Sequence, residues 1–129
     1  MTVGIYHMLT TNRKTIMKDF EGLLGFHFVE IIYWKQMKKA VVDLIVIYCP
    51  EYLPSCVTVQ QFKDFIKELN KTLIIVAYDD EIWRLDRKRA FYLNHPDDQK
   101  TIDNVKMILA LEQRKQLKPD LNQIVFKSG

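Results

Sequence analysis

Two short runs decide the architecture: DLIVIY at residues 43–48 and LIIVAYDDE at residues 73–81. From Leu44 to Ile47, and again from Leu73 to Ala77, every side chain is apolar, and most are β-branched, over the length of a strand. A strand with unbroken apolar character is covered on both faces, as the central strands of parallel sheets are. Three companions lie outward from this pair: VGIYHM at 3–8, FHFVEII at 26–32 and the weaker AFYLN at 90–94, stopped by Pro96.

Helical patterns fill the gaps. Residues 11–24 place Ile16, Phe20, Leu23 and Leu24 on one stripe, with Thr10, Thr11 or Asn12 as caps and Gly25 as the stop. Residues 33–42 predict a short helix, although Val41 and Val42 favour extension. Residues 58–69 align Val59, Phe62, Phe65, Ile66 and Leu69, with Asn70 as C-cap. Residues 80–89 hold Ile82, Trp83 and Leu85 among charges. Residues 100–116 predict the longest helix, burying Ile102, Val105, Ile108, Leu109 and Leu111, with Asp98 or Thr101 at its start. The order is strand then helix, five times over. That alternation predicts an α/β fold: an open five-stranded parallel sheet with helices on both faces, in the flavodoxin-like order.

Composition agrees with one folded domain. The 129 residues are 48% hydrophobic and 27% charged, and 19 Lys plus Arg against 16 Asp plus Glu give +3. That excess is too small to imply direct nucleic-acid binding. Two cysteines, Cys49 and Cys56, exclude a disulfide scaffold. With no apolar run long enough to span a bilayer and no signal-peptide pattern, the expectation is a cytoplasmic protein. Four glycines leave little room for a nucleotide cradle, and Ser55 and Ser128 offer no nucleophile arrangement. No enzyme activity and no cofactor is expected.

The step from DLIVIY through LIIVAYDDE to FYLNHP at 91–96, followed by a long amphipathic helix, resembles the receiver domain of bacterial two-component response regulators over residues 1–116. The resemblance implies a magnesium-holding acidic pair after the first strand and a phosphate-accepting Asp ending the third. It also implies a hydroxyl ending the fourth strand, and a lysine before a proline ending the fifth. These positions fall on His7 and Met8, on Tyr48, on Val76 and on His95, with Pro96 kept. Magnesium needs carboxylate oxygens, a phenol cannot form an acyl phosphate, valine cannot hold a phosphoryl oxygen, and a histidine is mostly neutral at pH 7. The implied protein is a pseudo-receiver that keeps the fold without aspartyl phosphorylation.

Other features have an ordinary reading beside a functional one. His7 and His95 with Asp79 or Asp80 could hold a metal or sense pH, but two imidazoles make no site, and hydrogen-bonded histidines are the plain alternative. Cys49 and Cys56 read as idle thiols more readily than as a redox pair. Tyr48 fills the old phosphate pocket. Tyr92, three residues before His95, is a switch-like aromatic in receivers or else a packing anchor. Trp83, Arg84, Arg87 and Lys88, with Lys106, Glu112, Arg114 and Lys115 on the last helix, are read as a dimer or partner face, the fourth-helix and fifth-helix face of receivers. The plain alternative is a solvated charge cluster.

Residues 117–129 read as a linker (117–122) and a strand beginning at Gln123. The ending LNQIVFKSG resembles the entry to a LytTR-type DNA-binding domain. The expected function is thus a phosphorylation-independent regulatory and dimerisation module of a transcription regulator, a homodimer that meets DNA only through a further C-terminal domain. A protein or small-ligand effector is the expected partner. The alternatives are a stand-alone adaptor for a protein partner, or a receiver phosphorylated on a relocated Asp79 or Asp80.

Overall fold

The computed structural model describes residues 1–7, 17–49 and 57–128, without the side chains of Asp80 and residues 117–128. The strands are β1 (Thr2–Tyr6), β2 (His27–Ile31), β3 (Leu44–Tyr48), β4 (Thr72–Val76) and β5 (Ala90–Leu93). The helices are α1 (Gln36–Lys39), α2 (Val59–Lys67), α3 (Asp80–Trp83) and α4 (Gln99–Ser128), and a helical turn covers residues 17–19. All five strands run parallel, in the order β2-β1-β3-β4-β5. This is the flavodoxin-like α/β arrangement.

The sheet alternates between two cores, because successive strand side chains point to opposite faces. Ile45 and Ile47 of β3 and Leu73 and Ile75 of β4 join Tyr6, Met37, Phe62, Ile66 and Trp83 under α1, α2 and α3. Leu44, Val46 and Tyr48, with Ile74 and Val76, join Val3, Ile5, Phe20, Val105 and Leu109 under α4 and the turn at 17–19. Every residue of β3 and β4 is buried, as their continuous apolar runs predict. At Gly4 a Cβ would stand 2.7 Å from Ile31 Cδ1, so glycine lets β1 and β2 close over that side chain.

The helices depart from the sequence reading at their ends. After residues 17–19 the chain tightens through bonds from Phe20 N to Met17 O (3.3 Å) and Glu21 N to Lys18 O (3.1 Å), and Gly22, at φ 84°, turns it away. The stop is therefore at Gly22 and not Gly25, and Leu24, expected in the core, is 92% exposed. Ile16 and the predicted caps at 10–12 lie outside the described residues. Helix α1 is only four residues long, since Val41 and Val42 leave it extended. Helix α2 opens on a reciprocal capping box, Thr58 with Gln61, and closes at Glu68 rather than Asn70. Helix α3 ends at Trp83, six residues early, where Arg84 turns extended.

Helix α4 buries Val105 and Leu109, half-buries Ile102 and Ile108, and leaves Leu111 49% exposed, against expectation. It also runs on to Ser128 where a linker and strand were predicted. A helix already nucleated over many turns extends at little cost, whereas Ile124 to Phe126 favour extension only locally. Among the described residues no helix is long and apolar enough to cross a membrane.

Candidate functional site

In an open parallel sheet, ligands bind beyond the carboxyl ends of the strands, where the strand order reverses. Here the reversal lies between β1 and β3. His7 follows β1 directly and is 2% exposed; its Nε2 lies 3.6 Å from Glu30 Oε1 on the neighbouring strand β2. Met8 lies outside the described residues. Tyr48 ends β3, paired in register with Val76 of β4, which in turn pairs with Leu93 of β5.

Tyr48 and Val76 are 3% and 0% exposed, and both point into the core under α4. Burial pushes the Tyr48 phenol far above its ordinary value, and the nearby Asp19 carboxylate adds to the shift. The hydroxyl therefore stays protonated and neutral. Val76 presents no polar group at all.

His95 stands apart from His7. It is exposed, sits in the left-handed region at φ 54°, and its carbonyl accepts from Asp98 N at 3.0 Å. Three strand spacings of about 4.8 Å separate β1 from β5, so the backbones that carry the two imidazoles are about 14 Å apart, and among the described residues neither belongs to a metal-holding group. Asp79 accepts from Glu81 N at 3.1 Å as the N-cap of α3. Tyr78 donates its hydroxyl to the Asp97 carboxylate.

Among the described residues the donor set does not fit the magnesium ion that the receiver resemblance implies. A hard divalent cation needs several converging carboxylate oxygens. Glu30 stands beside an imidazole, and Asp79 caps a helix on the far side of β3. Among the described residues no three His, Cys, Asp or Glu converge. Cys49, buried after β3, has its thiol pushed up by desolvation and so stays protonated and unreactive; Cys56 lies outside the described residues.

The proposed interface residues scatter. Trp83 is 5% exposed and meets the Phe62 ring edge-on at 5.5 Å, so it anchors the core and is no surface contact. Arg87 is likewise engaged within the chain. Its guanidinium donates to the carbonyls of Ile66 (3.1 Å), Lys71 (2.6 Å) and Lys88 (3.1 Å). Lys106 lies seven residues before Gln113, whose amide donates to Gly25 O at 2.9 Å, so both face away from the β5 flank. Glu112 pairs with Lys115 at 3.2 Å.

Arg84 and Lys88 are exposed, and the Arg84 guanidinium sits over the Tyr92 ring at 5.1 Å. Tyr92 itself is an anchor in this structure. Its hydroxyl accepts from Leu85 N (2.9 Å) and donates to Leu85 O (3.0 Å), pinning the chain between α3 and β5. What remains on this flank is a groove lined by Phe91, Ile108, Leu111, Glu112, Arg114 and Lys115.

Sequence reasoning missed the second cationic tie altogether. Lys71 Nζ donates to the carbonyls of Met37 (3.0 Å) and Ala40, closing the end of α1, while Arg87 closes the end of α2. Burial lowers the pKa of both groups, and Arg89 lowers that of Arg87 further. The only signal available was a cation placed just before a buried strand. No protein-family model matches the chain, and no curated protein matches it.

Proposed function

We propose that the chain is a phosphorylation-independent pseudo-receiver, acting as the regulatory and dimerisation module of a DNA-binding transcription regulator. One observation carries the reading. At the strand ends where a receiver would hold its acceptor and its hydroxyl, Tyr48 and Val76 lie buried in the hydrophobic core. A neutral, buried phenol and an aliphatic side chain offer a phosphoryl group neither a nucleophile nor a hydrogen bond.

The occupied position also supports a fixed state. A receiver switches because a phosphoryl group enters between its strand ends and rearranges the neighbouring loops. Here the Tyr48 side chain packs into the core under α4, and Tyr92 is tied to Leu85. Regulation then comes from what binds the module or pairs two copies of it. Pairing would set the spacing of two attached DNA-binding domains.

The test is labelling with acetyl phosphate and magnesium. The reading expects no incorporation, and no change in solution mass with magnesium and beryllofluoride. Incorporation that disappears in Asp79→Asn or Asp80→Asn would replace it with a relocated acceptor. The Asp79 carboxylate, engaged in capping α3, speaks against that outcome.

A further inference from the structure

The outer face of α4 carries a stripe that is exposed among the described residues. Asp103, Met107, Ala110 and Arg114 follow one another by four, three and four residues, which aligns them on one side of the helix. All four are exposed, Met107 at 55%, and the 49% exposed Leu111 stands beside them. Leu111 also lines the groove with Phe91 and Ile108, so the stripe continues into an apolar recess.

The stripe has an acid at its start, apolar residues in its middle and a cation at its end. Such a pattern is complementary to itself when reversed. Two copies of α4 laid antiparallel about a two-fold axis between Met107 and Ala110 set Asp103 against Arg114 of the second copy, twice by symmetry. Met107 then opposes Ala110 of the second copy, whose small side chain permits close approach. A parallel pairing would oppose Asp103 to itself and Arg114 to itself, and is disfavoured on charge.

We infer that this stripe is an antiparallel two-fold seam between copies of the chain. The inference rests on the reading of the chain as a dimerisation module and gives that module its contact residues, in place of Trp83, Arg87 and Lys106. One helical stripe per copy is small beside the roughly 1,200 Å² of a stable interface. The dimer is therefore weak and concentration-dependent.

Sedimentation equilibrium on the full 129-residue chain tests it. Asp103→Arg and Arg114→Asp should each weaken dimerisation by about tenfold, because two attractive contacts become repulsive. Both changes in one chain should restore it to within about threefold of the parent. Mixed in equal amounts, the two single variants should pair with each other. Gln99→Ala, which removes the amide that Asp103 accepts from at 3.0 Å, should leave dimerisation unchanged and so controls for local disturbance. A chain monomeric throughout, a dimer indifferent to single reversal, or a double variant no better than the singles overturns the seam. Acetyl phosphate labelling in a parallel sample would overturn the pseudo-receiver reading and leave the seam standing.

Discussion

The two ends of the sheet are built differently. At the amino end, long polar side chains close the open backbone. Lys71 caps α1, Arg87 caps α2, Arg89 Nε reaches Thr72 Oγ1 at 3.1 Å, and Thr2 N donates to Asp43 at 2.8 Å. At the carboxyl end, where this fold binds its ligands, the strand-end side chains of β3 and β4 turn inward and become core. Lysine and arginine side chains gather at the amino end, whereas at the carboxyl end the last residues of β3 and β4, a phenol and an aliphatic group, are buried. The difference teaches that the ends of β3 and β4, where this fold binds its ligands, are here packed as core rather than left as a polar cleft.

That contrast breaks most visibly at Tyr48. Tyr48→Asp puts back the side chain type a receiver carries, but into a core of Val46, Val76, Phe20 and Leu109 beside Asp19. Truncating a buried ring and burying a carboxyl together should cost about 3–5 kcal/mol. Urea denaturation measures it. A loss below about 1 kcal/mol would mean that the position opens to solvent and that the pocket is latent.

Arg87→Met breaks the other end. Three backbone carbonyls lose a charged donor at distances of 2.6–3.1 Å, and those of Ile66 and Lys71 are partly buried. The expected destabilisation is about 2–4 kcal/mol. Arg84→Met, which takes an exposed guanidinium from over the Tyr92 ring, should cost less than about 1 kcal/mol. Equal effects of the two would place Arg87 on the surface, as the sequence reading had it.

How far the sequence carried differs between the same two ends. The strands were legible because β3 and β4 are buried on both faces, and burial leaves a compositional mark over five consecutive positions. Tyr48 and Val76 were legible as members of those runs for the same reason. Their inward direction followed only once β3 and β4 were in register and Leu44, Val46 and Tyr48 shared a face. Trp83 and Arg87 misled because an aromatic among charges looks alike whether its helix runs ten residues or four. Helix α3 stops at Trp83, which drops the ring onto Phe62 and frees Arg87 to reach back to α2. The tie of Lys71 to α1 depends on contacts 31 and 34 residues apart, which no local pattern records.

Alkaline titration sharpens the description of the carboxyl end. Burial raises the pKa of Tyr6, Tyr48 and Cys49 in the folded chain above their ordinary values of 10.0, 10.0 and 9.0. In the unfolded chain each loses its proton at that ordinary value, while the folded chain holds it. The folded state thus binds more protons, and stability falls with rising pH. The stabilising contribution is complete below pH 9, declines first through Cys49 and then faster above pH 10 as the two phenols join. Each group adds a slope of about 1.4 kcal/mol per pH unit at full effect. Tyr48→Phe should remove one such slope while costing little at pH 7, read from urea midpoints between pH 8 and 11.

The smallest expected effects compare two caps on the carboxyl side. Thr58 and Gln61 satisfy each other's backbone donors at the start of the nine-residue α2, so Thr58→Ala should cost about 1 kcal/mol. Asp79 caps only the four residues of α3, and Asp79→Asn keeps an acceptor in place. It should shift stability by less than about 0.5 kcal/mol. Both variants are read by the same thermal melt, and Asp79→Asn has a second use. A carboxylate that serves only as a cap can be neutralised without consequence, whereas one that accepts phosphate cannot. If Asp79→Asn proves stable yet changes the response of the chain to magnesium and acetyl phosphate, the carboxyl end is chemically alive. The packed core at Tyr48 would then be the wall of a displaced site rather than the filling of a lost one.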